Sequence, residues 1–185
     1  AFLSFQLSGT SKFTMGVDDG DSDVFKIGTT AIGTGTMFAL DTNSRISLSN
    51  NDAGGAYNTI FGNLAGAGLT NGGETENTFI GHNVAATGTM TATADKNTGV
   101  GAWVLNDVTS GKENIGIGYN TLAGVTSGDY NIALGSGALD ASVGADNNIA
   151  IGASAFGNLN NDSATRNIAM GYGAGGGMST LASLD

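Results

Sequence analysis

Apolar and polar residues alternate along the N-terminal part of the chain. Phe13, Met15 and Val17 are separated by single polar or small residues, and this spacing is typical of half-buried β-strands. Clusters of Gly, Ser, Asp, Asn and Thr interrupt the alternation and predict turns. The pattern predicts a five-stranded antiparallel β meander within residues 1–51, with strands at 2–7, 12–17, 24–28, 36–41 and 45–49. Because each strand carries few apolar residues, we expect the meander to need a partner chain to close its core.

A different pattern follows, in which one five-residue phrase recurs seven times. Each copy opens with Asn and closes with Gly: the copies begin at Asn58, Asn77, Asn97, Asn114, Asn131, Asn148 and Asn167 and end at Gly62, Gly81, Gly101, Gly118, Gly135, Gly152 and Gly171. The steps between copies are 19, 20, 17, 17, 17 and 19 residues. Such a repeat is the signature of a stacked architecture. It predicts an all-β chain with a β-roll or β-solenoid of about seven 17–20-residue coils over residues 52–174, followed by a Gly-rich linker at 175–185.

Positions within the phrase predict how each coil is built. The second and fourth positions, such as Ile132 and Leu134, fall on one side of a strand, and we expect that side to face the interior. The third position is Ile60 or Phe79 in the first copies and Gly or Ala thereafter, so we expect small residues there to face outward and admit another subunit. The closing Gly predicts a corner, and a second short strand is expected to end at pairs such as Val104-Leu105. The recurring Asn predicts a side-chain ladder between coils.

Composition and charge exclude several classes of partner. The chain has 32 Gly, no Pro and no Cys, and its formal net charge is −10 with only six scattered basic residues. Without a basic patch we expect no nucleic-acid partner. No apolar run approaches the roughly 18 residues that span a bilayer, so we expect no membrane insertion. The first residue is Ala rather than Met, and we expect a processed chain or an excerpt of a longer one.

Candidate metal and catalytic residues are few. Asp19, Asp21 and Asp23 alternate as in the first half of a calcium loop, but the Gly and distal Glu that complete such a loop are missing, so a solvated turn is the preferred interpretation. His82 is the single histidine and has no second His or Cys with which to form a zinc set or a nucleophile–base pair. We interpret His82 as a surface corner residue. The sequence predicts no cofactor, no metal and no catalytic residue.

Three further patterns invite a binding or hydrolytic interpretation. Trp103, Tyr119, Tyr130 and Tyr172 are candidates for a sugar-binding platform, although packing between subunits is preferred. Alternating threonines at residues 87–93 resemble an ice-binding face, which would have to recur in every coil and does not. The carboxylates available for polysaccharide hydrolysis show no spacing that singles out a pair. They are Glu74, Glu76, Glu113 and the loop aspartates.

The phrase at residues 148–156, Asn-Ile-Ala-Ile-Gly-x-x-Ala-Phe, resembles the shaft repeats of bacteriophage tail fibres that precede endosialidase-type chaperone domains. It is also similar to the head repeats of trimeric autotransporter adhesins, which form left-handed β-rolls arranged as trimers. The resemblance covers about residues 57–174. Residues 11–19 and 25–27 are similar to segments that precede such repeats in phage fibres, and this second likeness favours the phage family.

The resemblance implies a non-enzymatic shaft of a homotrimeric virion fibre, located outside the cell as part of a phage tail and involved in host attachment. The implied partners are further copies of the chain, other virion tail proteins and, through a tip domain, a host surface glycan or protein receptor. The head of a bacterial trimeric adhesin is the alternative. A polysaccharide-degrading tailspike β-helix is a second alternative, and both stay open at this point.

Overall fold

The computed structural model describes residues 2–7, 10–18, 24–28, 36–40, 46–48, 57–69, 73–159 and 164–176. Over these residues the chain is all-β and contains no helix, and so none that could cross a membrane. It divides into two compact units, Ala1–Asn50 and Asn51–Asp185, each with its own sheet. The predicted all-β class is confirmed.

The first unit is the predicted antiparallel meander. Its strands are β1 (Phe2–Leu7), β2 (Thr10–Asp18), β3 (Val24–Gly28), β4 (Thr36–Leu40) and β5 (Ile46–Leu48). They lie in the order β1-β2-β3-β4-β5, and every neighbouring pair is antiparallel. Apolar residues stand opposite one another at several register positions, for example Met15 with Ile27 and Phe38 with Leu48. Period-two alternation and turn-forming residues were therefore sufficient to locate all five strands.

The second unit is a parallel β-solenoid of about six turns. Each Asn-to-Gly phrase supplies one strand: β6 (Thr59–Phe61), β7 (Thr78–His82), β8 (Thr98–Ala102), β9 (Ile115–Tyr119), β10 (Ile132–Leu134), β11 (Ile149–Ile151) and β12 (Ile168–Met170). The strands stack in chain order, and equivalent phrase positions face each other in register at every step. The predicted stacked architecture is confirmed.

The predicted orientation of these strands is wrong. The third phrase position faces the interior: Phe79, Ala133 and Ala150 are fully buried, whereas Ile168 and Met170, at the second and fourth positions, are each 67% exposed. The third position is small because larger side chains reach it from across the coil. A Cβ on Gly116, for example, would lie only 3.2 Å from Cδ1 of Leu122. Small residues at this position therefore make room for the core and do not admit a neighbouring subunit.

The predicted second strand of each coil is instead a turn. Val104 and Leu105 are both fully buried, and two consecutive residues cannot face the same side of a strand. Leu105, Leu122 and Leu139 adopt positive φ values of 51°, 55° and 51°, which turn the chain so that both apolar neighbours point inward. The turns also bond between coils, since the Leu122 N–H donates to the Ala138 carbonyl at 3.0 Å.

Residues 174–176 complete the turn of the last coil. The Phe156 N–H donates to the Ala174 carbonyl at 2.8 Å, and the Gly176 N–H donates to the Gly173 carbonyl at 3.0 Å. The first two residues of the predicted linker therefore belong to the solenoid, and residues 177–185 lie outside the described part of the chain.

The closing glycines form a stack of corners. Their φ values run from 117° at Gly171 to 143° at Gly118, a range that side-chain-bearing residues rarely adopt. A Cβ on Gly101 would also overlap the carbonyl oxygen of Gly118 in the next coil. Glycine is required here both for its backbone angle and for the close stacking of one corner on the next.

We expect Gly101→Ala to lower the free energy of unfolding by about 3 kcal/mol or more, because backbone strain is combined with overlap against the next coil. Gly171→Ala is the matched control, since this corner has φ of +117° but no atom within 4 Å of an added Cβ. It should lose only about 1–2 kcal/mol from strain. Urea denaturation followed by circular dichroism measures both, and equal losses would show that the overlap between coils is unimportant.

Candidate functional site

A ladder of buried asparagines runs along one corner of the solenoid. The backbone N–H of each phrase Asn after the first donates to the side-chain Oδ1 of the Asn in the preceding coil. The six bonds join Asn77 to Asn58, Asn97 to Asn77, Asn114 to Asn97, Asn131 to Asn114, Asn148 to Asn131 and Asn167 to Asn148, at 2.8 to 3.1 Å. The predicted side-chain ladder is therefore present.

The same side chains also close their own coils. Nδ2 of Asn114 donates to the Gly128 carbonyl at 2.8 Å, and Nδ2 of Asn131 donates to the Ala145 carbonyl at 2.7 Å. Asn114 and Asn131 are fully buried, so these amides satisfy backbone groups that water does not reach. Asn is the residue that fits, because it offers a donor and an acceptor on one short side chain.

A second ladder, of aspartates, lies two residues before the first and was missed in the sequence. Oδ1 of Asp95 accepts the Thr75 N–H at 2.7 Å, and Oδ1 of Asp129 accepts the Lys112 N–H at 2.9 Å. Oδ1 of Asp146 likewise accepts the Asp129 N–H at 2.8 Å. The signal was visible as Asp-x-Asn at residues 95–97, 129–131 and 146–148. These aspartates are structural acceptors rather than a free acidic surface.

In each coil, the residue between the Asp and Asn positions of the two ladders adopts a left-handed backbone conformation. Its φ lies between 56° and 66° in all seven coils, at Tyr57, Glu76, Lys96, Glu113, Tyr130, Asn147 and Arg166. The residue type varies from coil to coil, so no sequence pattern indicates this conformation. Among the described residues, Lys96 pairs with Glu76 and Lys112 with Asp129 along this corner, both at 3.9 Å. Their side chains are partly exposed, and such pairs contribute little to stability.

The predicted aromatic candidates do not form one platform. His82 is exposed at the C-terminal end of β7, and its ring contacts the Trp103 ring edge to face, with the ring centroids 5.8 Å apart. Strand register places His82 opposite Ala102 and Ala102 opposite Tyr119, so Trp103 and Tyr119 come from adjacent coils. Tyr130 lies at the asparagine corner, whereas Tyr172 follows the last strand.

The candidate carboxylates are dispersed. Glu74 is fully buried, while Glu76 and Glu113 are exposed at the asparagine corner, two coils apart and separated by the coil of Lys96. Within the described residues no group of three or more His, Cys, Asp or Glu side chains could hold a metal ion. Asp19, Asp21 and Asp23 lie outside that part of the chain. In the threonine-rich segment, Thr91 and Thr93 hydrogen-bond to each other at 3.0 Å.

The outer side of the solenoid sheet forms an extended surface, which we call the outer sheet face. It consists of the second and fourth phrase positions: Thr59, Thr78, Thr98, Ile115, Ile132, Ile149 and Ile168 in one column, and Phe61, Ile80, Val100, Ile117, Leu134, Ile151 and Met170 in the other. Ile115 and Ile117 near its centre are 38% and 40% exposed. At a spacing of about 4.8 Å per strand the face is roughly 30 Å long. Interaction sites on proteins are commonly found at large contiguous apolar patches.

Asp140 lies at the turn that follows β10. Its Oδ2 accepts a hydrogen bond from Nδ2 of Asn120 at 3.2 Å, while its Oδ1 has no partner among the described residues. Burial raises the pKa of the Asp140 carboxyl above its usual value, against the smaller lowering effect of the Asn120 hydrogen bond. The ionised carboxylate is therefore disfavoured at this turn.

Comparison of the chain with protein-family models, with curated protein sequences and with solved structures found no match.

We expect Asn131→Ala to lower the free energy of unfolding by about 3 kcal/mol or more, because it removes bonds in three directions at a buried position. Asn158→Ala is the control. Asn158 is exposed and its Nδ2 makes one long bond, 3.4 Å, to the Gly176 carbonyl, so a change within about 0.5 kcal/mol is expected. Urea denaturation measures both, and a similar small effect at Asn131 would contradict the structural importance of the ladder.

We expect Asp140→Asn to be more stable than the unmodified chain at pH 7. The raised folded-state pKa means that ionisation of Asp140 opposes folding, and this penalty is fully present above the folded pKa. The penalty disappears as the pH falls below the unfolded value near 3.8, so the difference in melting temperature should shrink towards that pH. A difference that is constant with pH, or that grows as the pH falls, would contradict this assignment.

Proposed function

We propose that this chain is a shaft segment of a homotrimeric virion fibre of the bacteriophage tail type, which holds a host-recognition tip away from the particle. The observation that carries the proposal is the outer sheet face, a surface of apolar residues and threonines that extends along all seven strands of the solenoid. The proposed role is mechanical rather than enzymatic.

The direction of the hydrogen bonds supports a mechanical role. Strand pairing, turn bonds such as Leu105 N–H to Thr121 O at 3.0 Å, and both side-chain ladders all join one coil to the next. These bonds lie along the axis on which the coils stack, so they act in parallel when the rod is pulled or bent. Stability of such a stack is a sum of coil and neighbour terms, and a rod can be lengthened by adding coils.

Segregation of charge supports association of identical chains through the outer sheet face. Every residue in its two columns is apolar or threonine, whereas charged residues of the repeats stand at the corners and in the connections. Cyclic symmetry turns the same face of each copy towards a common axis, where the apolar columns bury one another. The number three comes from the resemblance to phage fibres and trimeric adhesins.

The resemblance of residues 11–19 and 25–27 to segments of phage fibres favours the virion over the bacterial adhesin. On this proposal the further partners are other tail proteins and, through a tip domain, a glycan or protein receptor on the host. The tailspike alternative would require a carboxylate pair. The exposed Glu76 is instead 3.9 Å from Lys96 in the next coil, and Glu113 lies one coil further along.

We expect the purified chain to have a mass in solution of three times 18.3 kDa, measured by light scattering coupled to size-exclusion chromatography. The double variant Ile117→Asp, Leu134→Asp places two carboxylates on the outer sheet face and should yield monomers that keep the β-type circular dichroism spectrum. Ser127→Asp, on an exposed connection away from this face, should remain trimeric. A monomeric or dimeric unmodified chain would contradict the proposal, and so would a double variant that stays trimeric.

A further inference from the structure

The last strand of the solenoid, β12, leaves one edge of the sheet unpaired within the described part of the chain. β12 pairs with β11 on one side only. In earlier coils the N–H at the second phrase position donates to the next Asn carbonyl, as from Ile132 to Asn148 at 2.8 Å and from Ile149 to Asn167 at 2.9 Å. Ile168 occupies this position in β12 and has no such acceptor among the described residues. The backbone edge is therefore available for pairing.

The Asn ladder ends on an acceptor without a donor. Asn167 is only 3% exposed, and its Oδ1 has no hydrogen-bond partner among the described residues. The six asparagines before it each accept the backbone N–H of the next Asn, as Asn148 does from Asn167 at 3.0 Å. A buried acceptor without a partner is costly, and in this repeat the group that satisfies it is a backbone N–H from one further coil.

The space beside the last corner also fits one more coil. At Gly135 and Gly152 an added Cβ would meet the backbone of the following corner glycine at 2.7 and 2.6 Å, whereas at Gly171 it meets nothing within 4 Å. Ile168 and Met170 are 67% exposed, and the strands inside the stack have only partly exposed residues at these positions. The strand pairing, the Asn ladder and the stack of corner glycines thus all stop at β12 within the described residues.

We propose that the edge formed by Asn167, β12 and Gly171 is a docking site for one further parallel β-strand, and that its occupant is a polypeptide segment carrying the same Asn-to-Gly phrase. The first residue of that segment supplies its N–H to Asn167 Oδ1 and its carbonyl to the Ile168 N–H. A glycine at the fifth position is required because the corner φ lies between 117° and 143° in all seven phrases, a range that side-chain-bearing residues rarely adopt. This is strand addition with the register fixed by a buried amide. The inference rests on the fold and not on the fibre assignment.

The probe is a fluorescent synthetic peptide of residues 129–140 of this chain, which contains one complete phrase. Fluorescence anisotropy with the full chain should show saturable binding of one peptide per chain. The matched control peptide carries Gly135→Val, because a β-branched residue rarely adopts the corner φ, which is +128° at Gly135. We expect it to bind about tenfold or more weakly, a loss of about 1.4 kcal/mol or more.

Two variants of the protein test the same edge. Ile168→Pro removes the outward N–H without breaking any hydrogen bond of the described residues, and proline is tolerated on sheet edges. It should reduce binding about tenfold or more. Met170→Ser changes an exposed side chain on the same strand but keeps the backbone edge, so its affinity should stay within about threefold.

Absence of saturable binding, equal binding of the two peptides, or full binding by Ile168→Pro would each overturn the proposal. Circular dichroism checks that Ile168→Pro is folded. If that variant does not fold, the comparison of the two peptides on the unmodified chain decides the question by itself.

Discussion

A buried side-chain amide holds each coil of the solenoid to the next, and the rest of the repeat depends on it. The side chain of the Asn that begins each phrase donates from Nδ2 to a backbone carbonyl of its own coil, as Asn114 does to Gly128. Its Oδ1 accepts the backbone N–H of the Asn in the next coil, as Asn114 does from Asn131. Because these groups are fully buried, an error in register would leave donors and acceptors without partners and without water. The ladder therefore fixes the register of the strand that follows.

Fixed register gives the solenoid its two different faces. Equivalent positions stack on one another, so the third phrase position forms a narrow interior column and the second and fourth positions form the outer sheet face. Turn residues such as Val104 and Leu122 fill the interior beside Gly116. The corner glycines adopt the positive φ with which the chain turns away from each strand. Because they have no side chain, the backbone of the next coil can lie directly against them. A single repeated phrase thus produces a stable rod and a long apolar surface at the same time.

Much of this architecture could be predicted from the sequence, and the failures have clear physical causes. Alternation within a short strand identifies two faces but does not show which is inside, and the size of Ile132 and Leu134 suggested the wrong one. The side chains that fill the interior come from the turn, where Leu105 and Leu122 adopt a left-handed conformation that their residue type does not announce. The aspartate ladder had a sequence signal, Asp-x-Asn, but acidic residues in connections are usually solvated, so the signal alone does not indicate a hydrogen bond between coils.

Amide hydrogen exchange measured residue by residue by NMR tests the central claim most directly. Six backbone N–H groups, those of Asn77, Asn97, Asn114, Asn131, Asn148 and Asn167, are bonded to side-chain oxygens rather than to backbone carbonyls. If the buried ladder holds the coils together, these groups exchange as slowly as the amides of the neighbouring strands. Exchange at the rate of an unstructured peptide, beside protected strand amides, would contradict the account.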